Sequence, residues 1–300
     1  IKNVALSSTD AAGNSTPGNG SITLDTAAPA VPGFSALDDQ GSVQGPIASH
    51  TSTDDTQPTF SGSTEPGATV KVYDKGQLLG SATADSQGDW RFTPDTPLAQ
   101  GEHSITVTST DTAGNTSGSS APLPFTVDTT APGKNPDGSA GSVPAPVLAI
   151  AEAAGGVNAQ EAADGVQTQV SLPTGTVAGD TITLTLSGPS GPHSVTYTVT
   201  SADVSAGSAT VTIPVADIST GGNYADGNYS VTATVTDKAG NTSAASNAAP
   251  FQLDTTAPAV PGFEVTDDVA PVTGGIVSGA STNDTQPTFS GSTEPGATVK

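Results

Sequence analysis

The sequence repeats itself over a long distance. Residues 53–71, TDDTQPTFSGSTEPGATVK, return at 282–300 with one change, Asp54 to Asn283, so the copies are offset by 229 residues. Residues 29–34 return at 258–263 with the same offset, and no insertion separates the copies. Long self-similarity at a fixed offset predicts a tandem array of folded units that contact mainly their neighbours.

Short stretches of alternating apolar and hydroxyl residues predict an all-β fold. Four of them are 104–108 (SITVT), 181–186 (TITLTL), 195–199 (VTYTV) and 231–235 (VTATV). β-Branched residues with a period of two are typical of strands that have one buried face and one exposed face. The low aromatic and charged fractions, 4% and 12%, also occur in disordered chains, but the regular alternation argues against disorder.

Two motifs recur in the same order and divide the chain. D-x-A-G-N-(S/T) begins at Asp10, Asp111 and Asp237, and D-T-(A/T)-A-P begins at Asp25, Asp128 and Asp254. The paired aspartates are 15, 17 and 17 positions apart, which predicts a penultimate strand, a hairpin and a final strand at the end of each unit. Successive D-T-(A/T)-A-P motifs are 103 and 126 residues apart, so two module types of unequal length alternate.

We therefore expect four segments. Residues 29–131 (the first module) and 132–257 (the second module, of a longer subtype) are complete. Residues 1–28 are the C-terminal part of a truncated module, and 258–300 are the N-terminal part of another. Roughly seven short strands per module, separated by turn residues, are typical of an immunoglobulin-like sandwich. The predicted fold is all-β, with tandem immunoglobulin-like β-sandwich domains in an elongated array.

Charge and composition restrict the partners. The chain has 7 Lys and Arg against 29 Asp and Glu, a net charge of −22. Nucleic acids and anionic membranes bind basic surfaces, so we expect neither as a partner, and no apolar run approaches the roughly 18 residues of a membrane span. The acidic surface favours cations instead. The absence of Cys and Met is compatible with an extracellular protein that is stable without disulfides.

Several motifs together resemble one family. The two recurring aspartate motifs, GSTEPGATVKV at 62–72 and D-x-x-G-D-W at 85–90 are similar to bacterial immunoglobulin-like repeats in giant, calcium-dependent surface adhesins of the RTX type, exported by type I secretion. The resemblance covers nearly the whole chain. It implies a secreted protein of the bacterial cell surface that projects an adhesive tip for attachment or biofilm formation. It also implies calcium at the junctions between neighbouring modules of one chain. The chain is expected to be monomeric, and any host-cell or surface ligand to bind regions outside it.

Calcium is the expected cofactor, because it takes about six to eight oxygen ligands and carboxylates are abundant here. We expect the D-x-A-G-N hairpin and the D-T-(A/T)-A-P aspartate to lie at the same end of a module, where loop carboxylates add oxygens. The candidate ligands are Asp10, Asp25, Asp38, Asp39, Glu65, Asp111, Asp128, Glu161, Asp164, Asp237, Asp254, Asp267 and Asp268. The alternative stays open that these aspartates only hydrogen-bond turn amides.

No motif predicts catalysis. The chain has no G-x-S-x-G elbow, its three histidines are scattered, and Trp90 is expected in a sandwich core. We expect no enzymatic activity. The favoured function is that of a structural extender segment, stiffened by calcium at the module junctions. The alternatives are a ligand-binding module that recognises a glycan or host protein, best placed in the loop at 155–165, and a surface-layer assembly protein.

Overall fold

Nearly all of the secondary structure is β, as predicted. The structure is a computed structural model and describes residues 2–214, 224–271 and 273–300. Two short helices, α1 (Ala159–Ala162) and α2 (Ser201–Ala206), and a 3₁₀ turn at Ala151–Ala154 interrupt the strands. Within the described ranges, none of the helices is long and apolar enough to cross a membrane.

The first module is a sandwich of two sheets. The strands are β3 (Phe34–Asp38), β4 (Gly45–Ile47), β5 (Ser52–Thr53), β6 (Thr59–Ser63), β7 (Thr69–Asp74), β8 (Gln77–Thr83), β9 (Asp89–Phe92), β10 (Gly101–Thr110) and β11 (Leu123–Val127). The sheet orders are β4-β3-β6-β9 and β5-β11-β10-β7-β8. Neighbours pair antiparallel, except that β5 runs parallel to β11.

The second module repeats this plan. Its strands are β12 (Leu148–Ile150), β13 (Val166–Ser171), β14 (Thr181–Ser187), β15 (His193–Thr198), β16 (Ser208–Ile213), β17 (Gly227–Thr236) and β18 (Ala249–Leu253). The sheet orders are β12-β13-β16 and β15-β14-β17-β18. The parallel bridge between Val157 and Leu253 is the counterpart of the β5–β11 pairing. The four alternating stretches found in the sequence thus lie in β10, β14, β15 and β17, except that Val199 follows the end of β15.

Each module has its own apolar core. In β10, alternate residues from His103 to Ser109 are buried, and Phe60, Trp90 and Phe125 fill the space between the sheets. Trp90 is 3% exposed, which confirms its expected place in the core. The second core is built in the same way around residues such as Tyr229. The alternation in sequence therefore decides which face of each strand is buried.

The flanking segments are also β. Residues before the first module form a hairpin of β1 (Lys2–Thr9) and β2 (Ser15–Ile22). After the second module, β19 (Gly262–Asp267), β20 (Gly274–Gly275) and β21 (Thr288–Ser292) form one sheet in the order β20-β19-β21. Phe263 pairs with Gly291 in the same register as Phe34 with Gly62, so the repeated sequences adopt the same local fold.

Candidate metal centre

The two aspartate motifs lie at opposite ends of a module. β10 begins at Gly101, which pairs with Val127 beside Asp128, and ends at Thr110 beside Asp111. Ten residues of strand are about 30 Å long. We call the end at which the chain enters a module proximal and the end at which it leaves distal. The expectation that both motifs share one end was wrong, because β10 and β11 run antiparallel and each motif follows its strand.

The D-x-A-G-N hairpins are closed by their own aspartates. In the second module, Asp237 Oδ1 accepts hydrogen bonds from the backbone N–H groups of Ala239 and Asn241, both at 2.9 Å. The side-chain amide of Asn241 donates to the other carboxylate oxygen at 2.9 Å. Asp10 and Asp111 make the equivalent bonds in their hairpins. The local turn role of this aspartate is therefore shown in all three copies of the motif.

The distal end of the first module carries a preformed group of carboxylates. Asp38, at the end of β3, accepts a hydrogen bond from the hydroxyl of Thr53. The same hydroxyl oxygen accepts the backbone N–H of Asp55 at 3.1 Å. Asp55 is 1% exposed; its Oδ1 accepts the N–H of Gln57 at 2.7 Å, while its Oδ2 has no hydrogen-bond partner. An unpartnered oxygen on a buried carboxylate is costly unless a cation or proton neutralises it.

This distal end contacts the proximal hairpin of the second module. The backbone N–H of Asp54 donates to the carbonyl of Ala239 at 3.2 Å, and the Ser42 hydroxyl donates to the carbonyl of Gly240 at 2.8 Å. From the other side, the Asn241 side-chain amide donates to the carbonyl of Asp128 at 2.8 Å. A Cβ on Gly240 would lie 3.2 Å from the Val43 nitrogen, so the hairpin approaches closely. We call this contact the joint.

The carboxylates at the joint perturb one another. Burial raises the pKa of Asp54, and the nearby charges of Asp38, Asp237 and Asp55 raise it further. Burial likewise raises the pKa of Asp237 and of Asp180, a residue just before β14, and the charge of Asp128 adds to both effects. Carboxylates of both modules thus oppose one another's ionisation across the joint. A divalent cation there would remove this repulsion.

The residues present offer oxygen ligands of the kind that calcium takes. Besides Asp55 Oδ2, the buried atoms Asp54 Oδ1 and Asp180 Oδ1 have no hydrogen-bond partner. A cleft of about 410 Å³ at the joint is lined by Asp54, Asp55, Thr129 and Asn241 among others. Over residues 2–214, 224–271 and 273–300, however, no three acidic or histidine side chains converge as ligands of one ion. A calcium ion here would therefore combine few carboxylates with carbonyl, amide and water oxygens.

The sequence profile of one family, described as the bacterial Ig-like domain, matches the chain twice, over residues 30–129 and 145–255. The chain belongs to the bacterial Ig-like domain family. The two matches coincide with the two sandwiches and with their separate cores. The joint is accordingly a contact between two consecutive bacterial Ig-like modules.

Solved structures with overall similarity include bacterial adhesins. A 1.5-MDa bacterial ice-binding adhesin matches at 20% identity and TM-score 0.34, over 85% of this chain and 74% of that one. A Ca²⁺-stabilized, ice-binding adhesin of an Antarctic bacterium matches at 23% identity and TM-score 0.37, over 90% and 60%. A tetra-tandem repeat from the extending region of a large adhesion protein matches at 18% identity and TM-score 0.30, over 97% and 69%. Because these TM-scores are below 0.5, membership of the family depends on the sequence profile alone. A comparison with curated proteins found no match.

The structure distributes the predicted ligands over several places. Asp38, Asp39 and Asp128 lie at the distal end of the first module, and Asp237 faces them across the joint. The remaining predicted ligands lie elsewhere: Asp10 in the β1–β2 hairpin, Asp25, Glu65 and Asp111 toward the proximal end of the first module, Glu161, Asp164 and Asp254 toward the distal end of the second, and Asp267 and Asp268 in the last segment.

Glu65 and Glu161 do not fit the junction sites expected for them. Glu65 lies in the turn after β6, whose strand runs away from Asp38, so the two cannot serve one junction as expected. Glu161 accepts the backbone N–H of Asn158 at 3.0 Å and closes a capping box at the start of α1. Its carboxylate therefore has a local structural role.

Sequence reasoning missed three of the joint carboxylates, Asp54, Asp55 and Asp180. Asp54 and Asp55 lie within the repeated stretch, and their adjacency directly before a predicted strand was a usable signal. Asp180 lies 57 residues before Asp237, and only the pairing of β14 with β17 brings the two together. No local pattern could have identified it.

Proposed function

We propose that this chain is an extender segment of a secreted bacterial cell-surface adhesin, in which calcium at the joint between modules restricts their relative motion. The observation that carries the proposal is the joint itself. Carboxylates from two consecutive modules meet there, raise one another's pKa and leave buried oxygens unpartnered. We also propose that the two complete modules span residues 29–131 and 132–257.

The chain's own residues define what calcium would stabilise. Asn241 and the backbone of Asp54 already connect the modules through neutral hydrogen bonds. These bonds hold the hairpin against the distal loops, while the carboxylates of Asp54, Asp128 and Asp237 repel one another. Bound calcium supplies the positive charge that compensates this repulsion. The joint should then become stiff, and a series of such joints would hold an adhesive tip away from the cell.

Export by type I secretion and a part in attachment or biofilm formation remain expectations from the family resemblance. A stack of modules needs no catalytic site, and we assign the segment no enzymatic role. We expect it to be a monomer whose partners are the neighbouring modules. No observation favours recognition through the loop at 155–165, because Val157 and Ala162 of that loop are buried in the core.

Titration calorimetry of the full 300-residue chain tests the proposal. We expect Ca²⁺ to bind with saturable heat and more tightly than Mg²⁺, since Ca²⁺ accepts an irregular set of oxygen ligands whereas Mg²⁺ demands near-ideal octahedral geometry. The Asp237→Asn variant should bind more weakly, while Asp85→Asn, which makes the same charge change in the β8–β9 turn, should bind as wild type. Absence of saturable calcium binding, or equal effects of the two variants, would contradict the proposal.

A further inference from the structure

A histidine in the first module takes the place of a tyrosine in the second. β10 and β17 both begin at a glycine, and their third residues are His103 and Tyr229. His103 pairs across the sheet with Phe125, and Tyr229 pairs with Phe251. The ring centroids are 5.7 Å and 5.3 Å apart. The two side chains are therefore equivalent in register and in packing.

Both side chains hydrogen-bond to the backbone four residues upstream. The Tyr229 hydroxyl donates to the carbonyl of Ala225 at 2.8 Å, and His103 Nε2 lies 2.7 Å from the carbonyl of Ala99. In immunoglobulin-type sandwiches, a tyrosine near the start of the penultimate strand commonly fixes the preceding loop in this way. The first module makes the same connection with an imidazole.

The second ring nitrogen of His103 also faces an acceptor. Nδ1 lies 2.8 Å from Oδ2 of Asp74, while Oδ1 of Asp74 accepts the backbone N–H of Ser104 at 2.8 Å. A carbonyl and an ionised carboxylate can only accept hydrogen bonds, so the imidazole satisfies both partners only when both of its nitrogens carry protons. The His103 side chain is 7% exposed and that of Asp74 is 16% exposed. This is the only ion pair among the residues that the structure describes.

The other groups around His103 do not compete for this role. β7 contributes Asp74, β11 contributes the Phe125 ring, and the loop before β10 contributes a backbone carbonyl. On its own strand, Glu102 is exposed on the opposite face, and Lys75 in the β7–β8 turn is exposed to solvent. Asp74 is thus the charged side chain that the structure places against the ring.

The loop fixed by His103 also holds the linker to the next module. Gln100, which follows Ala99, accepts a hydrogen bond from the Thr129 hydroxyl at 2.7 Å and donates to the Thr130 hydroxyl at 2.6 Å. In the second module, Asp226 follows Ala225 and accepts hydrogen bonds from the hydroxyls of Thr255 and Thr256. Each module thus holds its outgoing linker through the residue next to the carbonyl that His103 or Tyr229 contacts.

We propose that His103 is a proton-dependent clasp: doubly protonated, it holds the loop and linker at the distal end of the first module, and loss of one proton releases one of its two hydrogen bonds. In the second module, the Tyr229 hydroxyl bonds to the Ala225 carbonyl and to the Ser190 hydroxyl, and no carboxylate pairs with it, so only the first module type should respond. This inference does not depend on calcium and extends beyond the proposed extender role.

NMR of the full chain tests it directly, because the chain has only three histidines to assign. With ¹⁵N-labelled histidine, both ring nitrogens of His103 should be protonated at pH 6, and one proton should be lost as the pH rises. Over the same range, the amide protection factors of Thr129 and Thr130, whose N–H groups donate to side chains of Gln100 and Asp128, should fall in wild type. They should stay constant in His103→Tyr, which installs the residue of the second module. Measurements in saturating calcium and in chelator separate this change from titration at the joint.

Three results would overturn the proposal. A neutral His103 ring at pH 6 would show that one ring nitrogen faces its acceptor without a proton, and that the doubly protonated form is not the one that holds the loop. Unchanged linker protection while the ring titrates would show that the clasp does not hold the linker. An equal fall in protection in His103→Tyr would assign the pH response to other groups. The ring measurement uses wild-type protein, so it decides the first point even if the variant folds poorly.

Discussion

Replacing Asp55 with asparagine separates the cost of its buried charge from its contribution to calcium binding. Asp55 is 1% exposed, and its Oδ2 has no hydrogen-bond partner. The amide of an asparagine keeps the acceptor for the N–H of Gln57 and removes the charge. Burial raises the pKa of Asp55, which means that its ionised form is less favourable in the folded chain than in the unfolded one. In the absence of a cation, the variant should therefore be the more stable protein.

The size of the effect follows from the unpartnered oxygen. A buried polar group without a partner costs about 1–3 kcal/mol, so we expect a gain near the lower bound, about 1 kcal/mol, in chelator. In calcium, losing a charged ligand should weaken calcium binding about tenfold. This lowers the calcium contribution to the free energy of unfolding by about 1.4 kcal/mol. For a domain of roughly 100 residues, 1 kcal/mol shifts Tm by about 4–8 °C. The variant should melt about 5 °C above wild type in chelator. In calcium the gain of about 1 kcal/mol and the loss of about 1.4 kcal/mol leave a net loss of about 0.4 kcal/mol, so the variant should melt about 2 °C below wild type.

Differential scanning calorimetry of the full chain in the two media measures both shifts. The matched control is Asp85→Asn, because Asp85 Oδ1 accepts turn N–H groups of Gln87 and Asp89, both at 2.9 Å, and lies away from the joint. That variant should shift Tm little and by the same amount in both media. If Asp55→Asn changes Tm in the same direction in chelator and in calcium, the reasoning is refuted.

Three further predictions concern single groups. Ser120→Ala leaves the buried N–H of Val107, now 3.0 Å from the serine hydroxyl, without its side-chain acceptor; we expect a loss of about 1–3 kcal/mol in the calorimetric transition of the first module only. The matched Ser246→Ala should lower only the transition of the second module. Hydrogen bonds from Thr200 lower the pKa of Asp203, so its stabilising effect is present at neutral pH and is lost as pH falls through the folded-state pKa. The Tm difference between wild type and Asp203→Ala should accordingly shrink from pH 7 to pH 3, and a constant difference would contradict this. Burial raises the pKa of Asp180 and Asp237, so protons should compete with calcium at higher pH than at an exposed aspartate. Calcium affinity by calorimetry should fall as the pH is lowered toward the raised pKa values of these carboxylates, and an affinity independent of pH would contradict their role as ligands.

The strands could be predicted from sequence because their burial is local and periodic. Residues 104–108 and 231–235 alternate strictly, and the structure buries their apolar positions in β10 and β17. The short helices were missed although both carried a capping-box signal, with Asn158 and Glu161 at the start of α1. Thr200 and Asp203 form a capping box at the start of α2, which is the S/T-x-x-acid pattern of a helix N-terminus.

The joint was only partly predictable. Its aspartate motifs were found from their repetition, but their placement at one end was wrong, although the antiparallel order of a hairpin would have separated Asp111 from Asp128. Asp180 approaches Asp237 through sheet pairing between distant strands, which sequence spacing does not encode. The role of His103 depends on the identities of two acceptors, Ala99 and Asp74, and these become known only when the loop and β7 are placed around the ring.

The most direct test of the calcium-dependent joint is a distance distribution across it. The chain contains no cysteine, so Ser86→Cys in the first module and Thr185→Cys in the second, both exposed, accept spin labels at defined positions. In pulsed electron paramagnetic resonance, we expect a broad distribution of label distances in chelator and a narrow one in calcium, with magnesium less effective. The Asp237→Asn background should keep the distribution broad in calcium. Distributions of equal width in calcium and in chelator would contradict the proposed stiffening of the joint.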